Sequence, residues 1–243
     1  MLLAIDAGNT QMKMAVFKND KIQDSTFLPY DDNAFEDKLK QWLSKDIIKV
    51  GIVSVKENSF HETIKGYTKL VVSRIDLTYN FPFQIKYTTP ETLGLDRIVA
   101  CIGAYSLNNY EGNLMVIDAG TAITYDIVNK QQQYLGGAIS PGVQMRSKAL
   151  NHFTANLPLV EQSKRTHDLI GNNTINSIKS GIVNGTRFEI KGCIDEIKTS
   201  HPGVKVFLTG GDAFFFEDAL KSSIFAEPNL VLIGINELMK TNA

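Results

Sequence analysis

Apolar residues at the start of the chain come in short runs separated by turn formers. Leu2 to Ile5 is brief and wholly apolar, as in a buried strand. It ends at the turn-forming stretch Asp6-Ala7-Gly8-Asn9-Thr10, and Met12 to Phe17 resumes with alternating character. Asn19-Asp20 reads as a hairpin turn and Lys21 to Leu28 as a third strand. From Ala34 to Leu43 the spacing becomes helical, with Phe35, Leu39, Trp42 and Leu43 recurring on one side and Asp32 or Asn33 placed to cap. Lys49 to Val55 predicts a buried strand, Glu57 to Lys65 a helix, and Lys69 to Val72 another strand.

The pattern then repeats. Leu114 to Ile117 is a short apolar strand that runs into Asp118-Ala119-Gly120-Thr121. Ala122 to Val128 alternates, Asn129-Lys130 is a turn, and Gln133 to Ile139 is a third strand. Helical stretches and a strand at Val204 to Leu208 follow. The two aspartates, Asp6 and Asp118, lie 112 residues apart. A repeat of that period means two similar domains, since solenoid repeats are far shorter. The polar, turn-rich stretch 108–112 places the boundary, giving domains 1–110 and 111–243.

The 243 residues are 43% hydrophobic and 21% charged, ample material for a core without a metal or disulfide staple. A formal net charge of -1 gives no electrostatic reason to expect nucleic acid or an anionic membrane as partner. Cys101 and Cys193 lie in apolar, helix-like stretches without metal-ligand spacing, so both read as buried free thiols in a reducing compartment. The N-terminal apolar run is too short for a signal peptide and no stretch is long enough to span a membrane, so a cytoplasmic location is expected. His61, His152, His167 and His201 show no metal spacing.

Asp6-Ala-Gly-Asn-Thr10 has the chemistry of a phosphate site. Glycine lets backbone amides approach anionic oxygens, and the Asn and Thr side chains donate. A carboxylate repels phosphate, so Asp6 implies an intervening cation, best met by hydrated magnesium. Lys13 places positive charge nearby. A plain hairpin in which Asp and Asn cap backbone groups uses the same residues, but a second copy at Asp118 to Thr121 favours the phosphate site. Gly94-Leu95-Asp96-Arg97 precedes an apolar helical run, Ile98 to Tyr105. Asp96 there serves either as an N-cap or as the carboxylate that accepts a proton from a hydroxyl undergoing phosphorylation. Arg97 suits an anionic substrate group or transferring charge.

Paired hairpins of this kind resemble the sugar-kinase, actin and chaperone-ATPase superfamily. The resemblance implies an α/β fold of two similar ribonuclease H-like (actin-like ATPase) domains with a cleft between them, both loops gripping one ATP. Thr209-Gly210-Gly211 looks like the superfamily's Gly-Gly turn near the adenosine. Across nearly its whole length the chain resembles the type III pantothenate kinases. The motifs, in order, are Asp6 to Thr10 with Lys13, Gly94 to Arg97, Asp118-Ala-Gly-Thr-Ala-Ile-Thr124, Gly136-Gly-Ala-Ile-Ser-Pro-Gly142 and Thr209 to Gly211. The resemblance implies ATP-dependent phosphorylation of pantothenate, the first step of coenzyme A biosynthesis. Asp96 then matches the proton acceptor. Asp6, Ala7, Gly8, Asn9, Thr10, Gln11, Met12 and Lys13 match the first ATP-binding stretch, and Thr121 a further ATP ligand. Asp118 matches the ligand of a monovalent cation, potassium or ammonium. Tyr87, Gly94, Leu95, Asp96 and Arg97 match the pantothenate site.

A homodimer is also implied, with Thr174 reaching the partner's pantothenate. Thr174 opens a long helical stretch with Ile175, Ile178, Ile182 and Val183 on an apolar face and Gly181 and Gly185 on one side. Ser54-Val55-Lys56-Glu57 departs from the family's Ser-Val-Val-Pro-like stretch. Another small-molecule kinase and a non-catalytic actin-like ATP-binding relative are the competing readings.

Overall fold

The computed structural model describes residues 1–8, 11–29, 33–54, 64–161, 168–220 and 223–242. The predicted helix from Glu57 and the Val55-Lys56-Glu57 departure therefore lie outside the described residues, apart from a helical turn at 64–67.

Two compact units form, residues 1–110 with 229–243, and residues 111–228. In the first, β1 (Leu2–Ala7), β2 (Gln11–Lys18) and β3 (Lys21–Pro29) form an antiparallel meander. β4 (Lys49–Ser54) then lies parallel to β1, and β5 (Val71–Arg74) to β4, giving the order β3-β2-β1-β4-β5. Asn19 and Asp20 both have positive φ, 50° and 64°, so their turn matches the right-handed twist of β2 and β3. Both faces of the sheet are covered, which explains why β1 is buried at every residue. Leu3, Ile5, Met12, Met14 and Val16 pack with α1 (Asn33–Leu43) through Phe35, Leu39 and Trp42.

The other face carries the row Ala15, Ala4 and Gly51 across β2, β1 and β4. A Cβ at position 51 would lie 2.8 Å from Ile235 and Met239, so small residues admit the last helix. That helix, numbered α6 below (Leu230–Thr241), crosses α2 (Leu95–Leu107) at Gly103 and Gly234. A Cβ on either glycine would overlap the partner helix's backbone. The sequence assigned residues 229–243 to the second domain; they pack with the first, where this glycine contact forms. Besides these elements the first unit has β6 (Gln84–Ile85) and a 3-10 turn at Pro90–Thr92.

The second unit repeats the plan. β7 (Leu114–Ala119), β8 (Ala122–Asn129) and β9 (Gln133–Pro141) form a meander, and β10 (Lys205–Thr209) and β11 (Phe225–Ala226) extend it in parallel on the β7 side. The order β9-β8-β7-β10-β11 reproduces that of the first unit. Even the register shifts correspond, between Val16 and Phe17 in one and between Ile127 and Val128 in the other. Against this sheet lie α3 (Val143–Phe153), the 27-residue α4 (Thr174–Ser200) and a short α5 (Glu217–Leu220). Met115, Ile117, Ile123, Tyr125, Ile182, Ile190 and Leu208 form the core. Cys101 is buried and Cys193 partly so, and both are free thiols. Among the described residues no helix is long and apolar enough to cross a membrane.

Candidate active site

In the first unit the predicted loop is the β1–β2 hairpin. Register pairs Asp6 with Lys13, so both side chains leave the same face of the sheet, the one carrying α6. Asp6 is 8% exposed and Lys13 partly exposed. Ala7 and Met12 face the core, so only their main chain is available to a ligand. Asn9 and Thr10 lie outside the described residues; Gly8 precedes them and Gln11, exposed, follows.

Helix α2 positions the next group. Its N-cap is Gly94, with φ -60° and ψ 124° and no side-chain cap. Asp96 is the second helical residue, which removes the N-cap reading for its side chain. Its Oδ1 accepts from the Arg97 N–H at 3.0 Å. A Cβ at position 94 would lie 2.5 Å from that same oxygen. Glycine at 94 thus serves no unusual dihedral, since any residue adopts these angles; it makes room for the carboxylate of Asp96. Arg97 is 8% exposed, and its guanidinium carbon lies 6.0 Å from the Tyr87 ring centroid, within cation–π reach. Gly94, Leu95, Asp96, Arg97 and Tyr87 thus form one group in the first unit.

In the second unit the hairpin is one residue tighter. Asp118 pairs with Thr124, and the Gly120 N–H donates to Ala122 O at 3.0 Å. Thr121 is exposed at the tip. Two further turns press on this loop. Gly142 donates its N–H to Thr121 O at 3.1 Å, and a Cβ there would overlap the carbonyls of Gly120 and Thr121. Gly210, with φ 98°, leaves no room for a Cβ against Ala119 O and the Asp118 carboxylate, while the Asp212 N–H donates to Ala119 O at 2.8 Å. The Thr209-Gly-Gly turn and the second hairpin are therefore one structure.

Asp212 was missed in the sequence. Burial pushes its carboxyl up to about 6. Its place beside Ala119 depends on strand β10 lying beside β7, which no local motif announces.

Thr174 is the first residue of α4 and exposed. The cap is its neighbour Asn173, whose side chain accepts from the Asn176 N–H at 2.9 Å. Ile178, Ile182 and Val183 are buried as predicted, whereas Ile175 is 49% exposed. Added Cβ atoms at Gly181 and Gly185 would meet nothing within 4 Å.

Among the described residues no group of three His, Cys, Asp or Glu side chains could cage a metal. Each hairpin instead carries a carboxylate at the next-to-last residue of its first strand, beside a glycine-lined turn. That donor set fits a largely hydrated magnesium ion or a weakly held monovalent ion better than an all-protein cage.

The family model for type III pantothenate kinase matches residues 2–196. The chain belongs to the type III pantothenate kinase family. A type III pantothenate kinase of Christiangramia forsetii is 42% identical over 248 residues, covering 100% of this chain and 99% of that protein. Others, from Flavobacterium johnsoniae and Bacteroides fragilis, are 38% and 40% identical, over 98% and 100% of this chain and 96% and 98% of theirs.

Among solved structures, a Campylobacter jejuni protein described as of the Baf family aligns over 99% of this chain and 98% of its own, with TM-score 0.64 at 24% identity. An activator of 2-hydroxyisocaproyl-CoA dehydratase from Clostridium difficile aligns over 99% and 96%, with TM-score 0.56 at 14% identity. At these identities the likeness establishes the fold alone, the actin-like kinase and ATPase fold expected from the paired hairpins. The family motifs of type III pantothenate kinases thus fall on two hairpin loops, one helix head and two glycine turns of this fold.

Proposed function

We propose that this protein transfers the γ-phosphoryl group of ATP to the primary hydroxyl of pantothenate, in the cytoplasm, at the entry to coenzyme A synthesis. The observation that carries this reading is the head of α2. The Asp96 carboxylate lies against Gly94, where a Cβ would stand 2.5 Å from Oδ1, with Arg97 and Tyr87 alongside. Asp96 accepts the hydroxyl proton as the phosphorus–oxygen bond forms. Arg97 binds the pantothenate carboxylate or offsets charge on the transferring group, and Tyr87 lines the same site. Asp6, through water, and Lys13 serve the phosphates in the first unit, with Asn9 and Thr10 assigned by family motif. Thr121 serves them in the second. Asp6 would hold magnesium and Asp118 potassium or ammonium; such ions supply charge neutralisation at the phosphates.

A homodimer completes the reading. The Gly181–Gly185 side of α4 admits a close neighbour, and Ile175 and Phe188, 49% and 50% exposed, are large apolar groups on the same helix. Thr174, exposed at the helix start, would contact pantothenate bound to the partner.

The test is ADP formation with and without pantothenate. Strict dependence on pantothenate supports the kinase, while equal ADP release without any acceptor overturns it in favour of an ATP-hydrolysing switch. For the dimer, Asp96→Asn and Thr174→Trp proteins are each weak alone and regain activity on subunit exchange. A monomeric, fully active enzyme in sedimentation removes the shared site.

A further inference from the structure

We propose that Arg146 and Glu189 are positioning residues that hold the second phosphate loop in shape, an inference that rests on the kinase reading above. The loop's tip, Gly120-Thr121, is braced by the Pro141-Gly142 turn through the Gly142 N–H and direct backbone contact. Besides its pairing with β8, that turn is fastened by a side chain. Arg146, one turn into α3, donates from Nε to Pro141 O at 2.8 Å and from Nη2 to Ser140 Oγ at 3.1 Å. The same Nη2 lies 2.5 Å from Glu189 Oε2 on α4. Glu189 has further partners: its Oε1 accepts from Ser140 Oγ at 2.6 Å and from Tyr125 Oη at 2.7 Å. The guanidinium therefore spans a main-chain carbonyl and a carboxylate with two differently directed N–H groups, which the arginine fork can do and a lysine ammonium on its single point cannot.

The pair is only 23% and 31% exposed at its side chains, so solvent screens it less than a surface ion pair. Burial tends to raise the Glu189 carboxyl, but the hydrogen bonds from Ser140 and Tyr125 and the Arg146 charge outweigh it, keeping the group ionised. Four elements, β8, β9, α3 and α4, meet at this one carboxylate, and the motif-bearing turn hangs from it. None of the four side chains needs to touch ATP. Their effect is on where the Gly120 and Thr121 main chain stands.

The experiment is steady-state kinetics of the purified full chain with ATP and pantothenate varied separately, alongside thermal melts and direct ATP binding by calorimetry. Arg146→Lys keeps the charge but loses the fork. It is expected to raise the KM for ATP about tenfold, as outer partners of a ligand-holding group do. The KM for pantothenate should stay within twofold of wild type and the protein should remain folded at the assay temperature. Ser140→Ala, which removes one contact and keeps the ion pair, is expected to give a smaller change in the same direction. If Arg146→Lys and Ser140→Ala are folded and both keep the wild-type KM for ATP, the network is only structural and the proposal fails. A uniform fall in kcat with both KM values unchanged overturns it equally. A wild-type protein that binds no ATP overturns the kinase reading, a result visible before any variant is measured.

Discussion

Replacing Gly94 by alanine separates the chemistry of the site from the stability of the fold. The backbone at position 94, φ -60° and ψ 124°, is open to alanine, so no dihedral strain arises. The new Cβ would lie 2.5 Å from Asp96 Oδ1, where ordinary contact begins at 3.4 Å, so the oxygen must retreat by about 0.9 Å. Retreat loosens the 3.0 Å bond from the Arg97 N–H, worth about 0.5–1.5 kcal/mol. The stiffer unfolded chain of the alanine variant returns about 0.4–1 kcal/mol. The net change is within about 1 kcal/mol, or roughly 2–4 °C in Tm for a chain of this size.

Turnover is far more sensitive, because a displacement of about 1 Å in a reacting group costs on the order of 100-fold. The expected result is a kcat lowered about 100-fold, an ATP affinity near wild type and an almost unchanged melt, measured by coupled ADP assay, calorimetry and circular dichroism. Wild-type turnover in a folded Gly94→Ala protein would refute the assignment of Asp96 as the proton acceptor. A collapse of Tm by ten degrees would show instead that Gly94 supports the fold.

Asp96→Asn should likewise lower turnover about 100-fold or more while ATP still binds; near-normal rates would remove the base. Asp118→Asn should lower activity and abolish any preference of the rate for potassium or ammonium over sodium, and a wild-type rate indifferent to the monovalent ion would end that role. Gly210→Ala, at φ 98° and against the Ala119 carbonyl, should cost at least about 1–3 kcal/mol in urea titration; an unchanged midpoint would contradict the described turn. Asp212 has a raised carboxyl, so the folded state favours its proton. The stability this contributes is full below 3.8 and lost as pH rises through about 6, and Asp212→Asn should flatten the melting temperature across that window.

Much of this was legible in the linear order of residues. The apolar runs, the Asn19-Asp20 turn and the recurrence of Asp-Ala-Gly located both meanders, because strand faces and two-residue turns depend on neighbours a few positions away. That Lys13 lies near the first loop was legible too; its pairing with Asp6 comes from the register of β1 and β2. The helix head at Gly94 to Arg97 was also visible as a motif. Its glycine acquires a reason only from the position of the Asp96 oxygen in space.

What the chain order could not decide is long-range. Residues 229–243 join the first unit because Gly103 and Gly234, far apart in sequence, let two helices touch backbone to backbone. The Gly210 turn reaches Asp118 because a parallel strand is delivered to its neighbour by an intervening helix. Arg146 and Glu189 meet only when α3 and α4 lie on one sheet. Local pattern specifies which elements form, since hydrogen bonds and side-chain periodicity act over a few residues. Which distant surfaces close on one another is settled by shape, and at these sites by the absence of a single Cβ.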